Sequence, residues 1–224
     1  MAKHLDLEEQ EQLDQIKHFW AQYGNAITWL LIVVLGGFAA WNGWNYWQNR
    51  QAIQAAALFD EVQGAAQAAD AERLKRALTD MKAGFAKTTF AAQSSLLAAR
   101  AFQESGDAAG AREALQWIVD NGNEPAYLAV ARLRLAALDL AAGEHEKALG
   151  WLSTSMPAAY EPLAADRRGD VFLAQGKTAE ASTQYQNAWR TLSEQAEYRR
   201  LVEVKLASLG VDVAALAPGQ GAAQ

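Results

Sequence analysis

From Phe19 to Asn49 the chain carries no charged residue, thirty-one positions bounded by His18 and Arg50. Its centre is an apolar stretch from Ala26 to Trp41, fringed by Phe19, Trp20 and Tyr23 on one side and by Trp44, Tyr46 and Trp47 on the other. About 20 mostly apolar residues suffice for a helix to cross a ~30 Å hydrocarbon layer. Trp and Tyr collect where such a helix meets the headgroups. A buried helix of a soluble protein rarely stays free of charge for so long. A cleavable signal peptide opens on a short positive segment, whereas this leader is acidic, with Asp6, Glu8, Glu9, Glu11 and Asp14 against Lys3 and Lys17. The run reads as an uncleaved membrane anchor over residues 25–47.

Orientation follows from Lys and Arg near the span, because acidic residues contribute little to it. Lys3 and Lys17 precede the span, and within twenty residues after it only Arg50 stands. That count favours an N-terminus inside. The chain has no cysteine, which is compatible with an oxidising exterior.

The 177 residues from Gln48 onward hold 18 Lys+Arg and 21 Asp+Glu, so no basic stripe is available for nucleic acid. They are rich in Ala, Leu, Gln and Glu, which favour helix, and show no run of alternating apolar and polar residues that would mark a strand. The expectation is an all-α chain, one transmembrane helix followed by a helical domain.

Internal repetition sets the architecture of that domain. Gly106-Asp-Ala-Ala-Gly-Ala111, Gly143-Glu-His-Glu-Lys-Ala148 and Gly176-Lys-Thr-Ala-Glu-Ala181 align, and four residues beyond each alanine stand Leu115, Leu152 and Tyr185. Seven residues before each glycine stands a small residue, Ala99, Ala136 or Gly169. The glycines lie 37 and 33 residues apart, close to the 34-residue tetratricopeptide period. Glycine tolerates the left-handed conformation that ends a helix, and a small residue lets two helices approach closely. The clearest helix-turn-helix units are residues 90–123, 124–158 and 159–192, separated by breaks at Asp120–Pro125 and around Pro157 and Pro162. Asp107 is placed to cap the second helix of its unit. Residues 49–83 form two more helical stretches of weaker pattern, Gln48 to Gln67 and Asp70 to Lys82. Glu194 to Leu209 reads as a terminal helix able to cover the last repeat, and residues 218–224 as a loose tail.

Catalytic constellations are not legible. Gln175-Gly176-Lys177-Thr178 resembles the end of a phosphate-binding loop, but Val171 stands where that loop requires glycine. His4, His18 and His145 are dispersed and no thiolate exists, so neither a metal site nor a cofactor is expected. Acidic residues sit beside basic ones, as Glu72 does with Arg76 at the i, i+4 spacing. Two surfaces invite a binding role. First helices line the groove of a repeat array, which makes Arg100, Gln103, Arg134 and Asp170 candidate peptide contacts. Arg132, Asp166, Arg167 and Arg168 share those helices, and the alternative is that such Arg and Asp residues pair with each other between neighbouring units. Within the span, Gly36 with Ala40 and Ala39 with Gly43 have the four-residue spacing that permits close helix packing in lipid.

The whole chain resembles the YfgM-type ancillary subunit of the bacterial Sec translocon. The resemblance runs through the leader Glu11-Gln-Leu-Asp-Gln-Ile-Lys-His-Phe-Trp-Ala-Gln-Tyr-Gly24 and the exit Gly43-Trp-Asn-Tyr-Trp47. It continues in Leu133-Arg-Leu-Ala136, Ala165-Asp-Arg-Arg-Gly-Asp170 and Val204-Lys-Leu206. It implies a bacterial inner-membrane protein with residues 1–24 cytoplasmic and residues 48–217 forming a periplasmic tetratricopeptide-like domain. It further implies partners: Sec translocon subunits, a PpiD-type periplasmic chaperone, exported polypeptides and membrane lipid. The function so implied is a non-enzymatic adaptor that links exported chains to chaperones. The alternative is an envelope-organising scaffold that binds cell-wall or division machinery. Reporter fusions placed after Gln224 are expected to report the exterior side of the membrane, and a cytoplasmic signal would reverse the assigned topology.

Overall fold

The computed structural model describes residues 7–193 and 195–216, so residues 1–6, Glu194 and residues 217–224, which include the expected tail at 218–224, lie outside the described residues. Every regular element among the described residues is a helix: α1 (Leu7–Gln67), α2 (Ala71–Phe85), α3 (Thr89–Glu104), α4 (Ala108–Asn121), α5 (Pro125–Ala141), α6 (His145–Ser153), α7 (Glu161–Ala174), α8 (Thr178–Thr191), α9 (Glu197–Ser208) and a 3-10 turn at Val213–Leu216. The chain divides into two compact units, Met1–Ile53 and Gln54–Gln224.

The first unit is helical throughout its described part. Trp29, Leu30, Val33, Leu35, Phe38 and Trp41 are all exposed, and the helix is long and apolar enough to cross a membrane. Two of its polar side chains bond to their own helix. Thr28 Oγ1 donates to the carbonyl of Gly24 at 2.7 Å and Asn42 Nδ2 to that of Phe38 at 3.1 Å, which leaves fewer polar groups to satisfy in lipid. Phe19 packs on Tyr23 at 5.1 Å between ring centroids and Trp44 on Trp47 at 5.5 Å.

The second unit is a series of helical hairpins. Three of them, α3/α4, α5/α6 and α7/α8, turn at Gly106, Gly143 and Gly176, with φ of +83°, +76° and +74°. Each turn closes the same pair of backbone bonds. The residue after the glycine donates back to Phe102, Asp139 or Phe172 (2.8, 2.8 and 2.9 Å), and the glycine itself to Gln103, Leu140 or Leu173. This satisfies carbonyls that a helix end otherwise leaves unpaired. Asp107 caps α4 by accepting the Gly110 N–H at 2.8 Å.

A fourth hairpin, from the C-terminal part of α1 into α2, uses the same turn without glycine. Ala69 holds φ +53°, Asp70 N–H donates to Ala65 and Ala69 N–H to Ala66, and the Asp70 side chain caps α2 through Arg73 N–H. A left-handed L-residue costs about 1–2 kcal/mol. Fixing the turn around it, the Arg73 guanidinium bonds both oxygens of Glu61 at 2.5 and 2.6 Å. Leu78 stands nine residues past Ala69, as Leu115, Leu152 and Tyr185 stand past their glycines, and all four are buried.

Helix pairs are held by complementary sizes. Ala99, Ala136 and Gly169 lie fully buried or at the helix contact opposite Leu115, Leu152 and Tyr185. Where the large partner grows from leucine to tyrosine, the small one shrinks to glycine, and a Cβ at Gly169 would fall on the Tyr185 ring. The core is correspondingly sequential. One cluster joins Val62, Leu78, Phe102, Leu115, Ile118 and Leu135; a second joins Ala136, Leu152 and Val171; a third joins Ala165, Tyr185, Trp189, Val202 and Leu206. Each helix therefore depends on its neighbours in the chain, as in other stacked repeats. Gly169→Ala is expected to destabilise this unit by about 1–3 kcal/mol, the usual cost of overpacking. Thermal or urea unfolding of the full chain in detergent checks it, and an unchanged midpoint would mean that Tyr185 can move aside.

Candidate functional site: two interaction surfaces and the buried charges between repeats

The membrane-facing surface of the first unit is a single helix. Gly36, Ala39, Ala40 and Gly43 all lie exposed on α1, and a Cβ at Gly36 or Gly43 would meet nothing within 4 Å. The structure thus leaves this small-residue stripe open to a neighbouring helix without placing one there.

The second surface lies on the first helices of the repeats, where α3, α5 and α7 adjoin. Gln93 Nε2 on α3 donates to Tyr127 Oη on α5 at 2.8 Å, and Arg134 Nη1 on α5 donates to the Leu96 carbonyl on α3 at 3.2 Å. Arg100 and Gln103 are exposed on α3. Arg100 pairs with Glu104 of its own helix at 2.7 Å, with both side chains more than 60% exposed (70% and 63%). Such a pair stabilises little in solvent. Arg134 is half-buried, and burial followed by the nearby Arg100 charge lowers its pKa below the ordinary arginine value.

Asp170 is placed differently from the other three. Its carboxylate accepts from Lys205 Nζ at 2.6 Å, from Tyr185 Oη at 2.8 Å and from Arg167 Nη1 at 3.1 Å. Asp166, fully buried, accepts from Lys205 Nζ at 2.7 and 2.9 Å and from Tyr198 Oη at 2.7 Å. One lysine on α9 thus bridges two carboxylates on α7 and fastens the terminal helix over the last repeat. Arg168 is similarly engaged, with Gln184, the Leu152 carbonyl and Glu161. In the third unit the Arg–Asp pair, Arg167 with Asp170, closes within α7, and the bonds of Asp166 and Asp170 to another element go to Lys205 and not to an arginine of a neighbouring unit. Glu72 and Arg76 form no ion pair; the pair in that hairpin is Arg73 with Glu61.

Asp139 is a buried charge that the sequence pattern does not announce. It occupies the position four residues before the turn glycine where the neighbouring units have Phe102 and Phe172. It is 1% exposed and is held by Arg112 Nη2 on α4 at 2.6 Å and Trp151 Nε1 on α6 at 2.8 Å. A buried carboxylate is tolerable only when so paired. An acidic residue at a position otherwise aromatic was the available signal, but its partners lie 27 and 12 residues away.

With this geometry in view, relatives can be compared. The tetratricopeptide repeat-like domain family matches residues 17–211. A protein from Neisseria gonorrhoeae named ancillary SecYEG translocon subunit is 32% identical over 213 residues, covering 93% of this chain and 100% of the relative. The chain belongs to the ancillary SecYEG translocon subunit family. Similar proteins of the same name occur in Haemophilus influenzae, 25% identical over 91% of this chain and 98% of the relative, and in Escherichia coli, 28% identical over 75% and 81%. The family match begins before the apolar run and ends past α9. In this member of the ancillary subunit family, the apolar helix sequence and the repeats therefore fall within one continuous match.

The buried phenols give the terminal-helix network a signature. Burial, and then the hydrogen bond to Asp170, holds the Tyr185 phenol well above its ordinary range; burial, and then Asp166, does the same for Tyr198. The folded state keeps protons that the unfolded chain releases near pH ~10. Their contribution to stability is therefore complete below about pH 10 and is lost as the pH rises further. Phenolate absorbance is expected to show a fraction of tyrosine that ionises only as helix is lost, and Tyr198→Phe should shrink that fraction. If wild type and variant ionise identically in one step with helix content intact, the network is not closed in solution.

Proposed function

We propose that this chain is a non-enzymatic, single-span inner-membrane adaptor of the Sec translocon. Its N-terminal segment, residues 1–24, lies in the cytoplasm, residues 25–47 cross the membrane, and residues 48–217 form a periplasmic repeat domain. The span docks against translocon subunits through the face that carries Gly36, Ala39, Ala40 and Gly43. The repeat domain links exported polypeptides to a PpiD-type chaperone, with Arg100, Gln103 and Arg134 as contacts on the first helices.

The observation that carries this reading is the match over the whole length of a relative named ancillary SecYEG translocon subunit. Two physical features support it. The apolar helix leaves its large side chains exposed, which water disfavours and lipid or a membrane partner would accept. Stacked repeats also offer extended surfaces suited to polypeptide partners. Crosslinking side chains placed one at a time from Ile27 to Trp47 are expected to trap translocon subunits in cells, from one face of the helix. A uniform absence of such adducts sinks the docking proposal. Recovery of wall or division factors without secretion factors, using the full chain as bait, would favour the envelope-scaffold alternative.

A further inference from the structure

The repeats allow each position on the first helices to be compared with its counterparts. Nine residues before the turn glycine stand Leu97, Arg134 and Arg167; six before it stand Arg100, Ala137 and Asp170. In the third unit Arg167 and Asp170 close an ion pair at 3.1 Å. In the second unit the arginine is present but its aspartate is replaced by Ala137. Among the described residues no carboxylate lies within the 4.0 Å of an ion pair from the Arg134 guanidinium. Its one side-chain hydrogen bond there goes to the Leu96 carbonyl.

A half-buried guanidinium without a counter-ion is electrostatically unfavourable. At Arg134 the like charge of Arg100 adds to the cost. The same face carries Tyr127, seven residues earlier on α5. Its hydroxyl accepts from Gln93, so its own proton is available to a ligand. The second unit thus presents a guanidinium without a paired carboxylate, on the same helix as an aromatic hydroxyl about two turns away.

We propose that Arg134 is the anchor of the polypeptide-binding surface and takes the side-chain carboxylate of an Asp or Glu in an extended chain lying along α3 and α5. The bound chain supplies in trans the partner that Asp170 supplies to Arg167 within the fold. The exposed Arg100 beside it adds attraction for the approaching acid. This inference rests on the reading that the repeat domain holds polypeptides, and it assigns the chemistry that such a ligand must carry.

The test uses the full chain in lipid nanodiscs and a short, dye-labelled, unstructured peptide with one central Asp. Anisotropy is compared with the same peptide carrying Asn at that position, and with its C-terminally amidated form. Replacing Asp by Asn is expected to weaken binding about tenfold, the scale of one charge-assisted hydrogen-bonded pair. Amidation is expected to change nothing. Arg134→Gln should weaken the Asp peptide by a similar factor and abolish the difference between Asp and Asn. Ala137→Asp keeps every arginine and copies the third-unit pair, so it should occupy Arg134 from within and weaken binding while raising the melting temperature. That variant keeps the test decisive if Arg134→Gln folds poorly. Equal binding of the Asp and Asn peptides, unaffected by Ala137→Asp, overturns the proposal and leaves the polypeptide-holding reading intact. Sensitivity to amidation instead of to the Asp overturns the assignment to a side chain. Binding of neither peptide overturns both readings.

Discussion

Everything in the repeat domain depends on how closely two successive helices can approach. A left-handed turn reverses the chain within two residues, and a small side chain on the first helix then accepts a large one from the second. Ala99 with Leu115, Ala136 with Leu152 and Gly169 with Tyr185 are three solutions of one packing problem. The turn at Ala69 shows that the packing can dominate the turn chemistry. There an alanine is held at positive φ because buried Val62, Leu74 and Leu78 hold the hairpin shut around it. Interiors packed to crystal-like density leave no room for a looser arrangement.

Charge is used sparingly inside this array, and each buried charge joins helices that close packing alone would not fix. Asp139 ties α4, α5 and α6 together through Arg112 and Trp151. Asp166 and Asp170 tie α7 to α9 through Lys205. Removing one partner from such a group strands the other, so these residues specify neighbours more than they add stability. Arg134 departs from that pattern. It sits at the position of a charge that is paired in the next unit, and among the described residues no carboxylate pairs it, which is the observation behind the proposed ligand contact.

The functional picture joins two parts that obey different solvents. One helix suits lipid, with an apolar surface and with Thr28 and Asn42 bonded to its own backbone. The hairpins are selected for water, with mixed charges outside and a core of small and large residues inside. The proposed adaptor role uses this division: a span that can associate laterally in the bilayer and a repeat surface that can engage a polypeptide. The proposed carboxylate contact makes that surface selective without making it specific to one sequence, since acidic residues recur in most chains.

Signals that are local in the chain were legible from residues alone. The charge-free run, its aromatic edges, the three turn glycines and the small-then-large spacing all lie within a few helical turns, so 3.6-residue periodicity and turn chemistry reveal them. They determine an all-α chain with an apolar helix and a repeated hairpin. The helices on either side of Ala69, Gln48 to Gln67 and Asp70 to Lys82, are expected as a pair, but alignment on glycine could not show that they close by the same turn, because that turn has no glycine and is stabilised by packing and by the Glu61–Arg73 pair. Nor could it decide which charges face a ligand. The partners of Asp139, Asp166 and Asp170 lie as far as 27 to 39 residues away, on helices brought alongside only by stacking. Arg134, Arg167 and Asp170 look alike as exposed polar residues in the sequence. Tertiary structure separated them, because whether a charge is paired depends on what folding carries to within 4 Å of it.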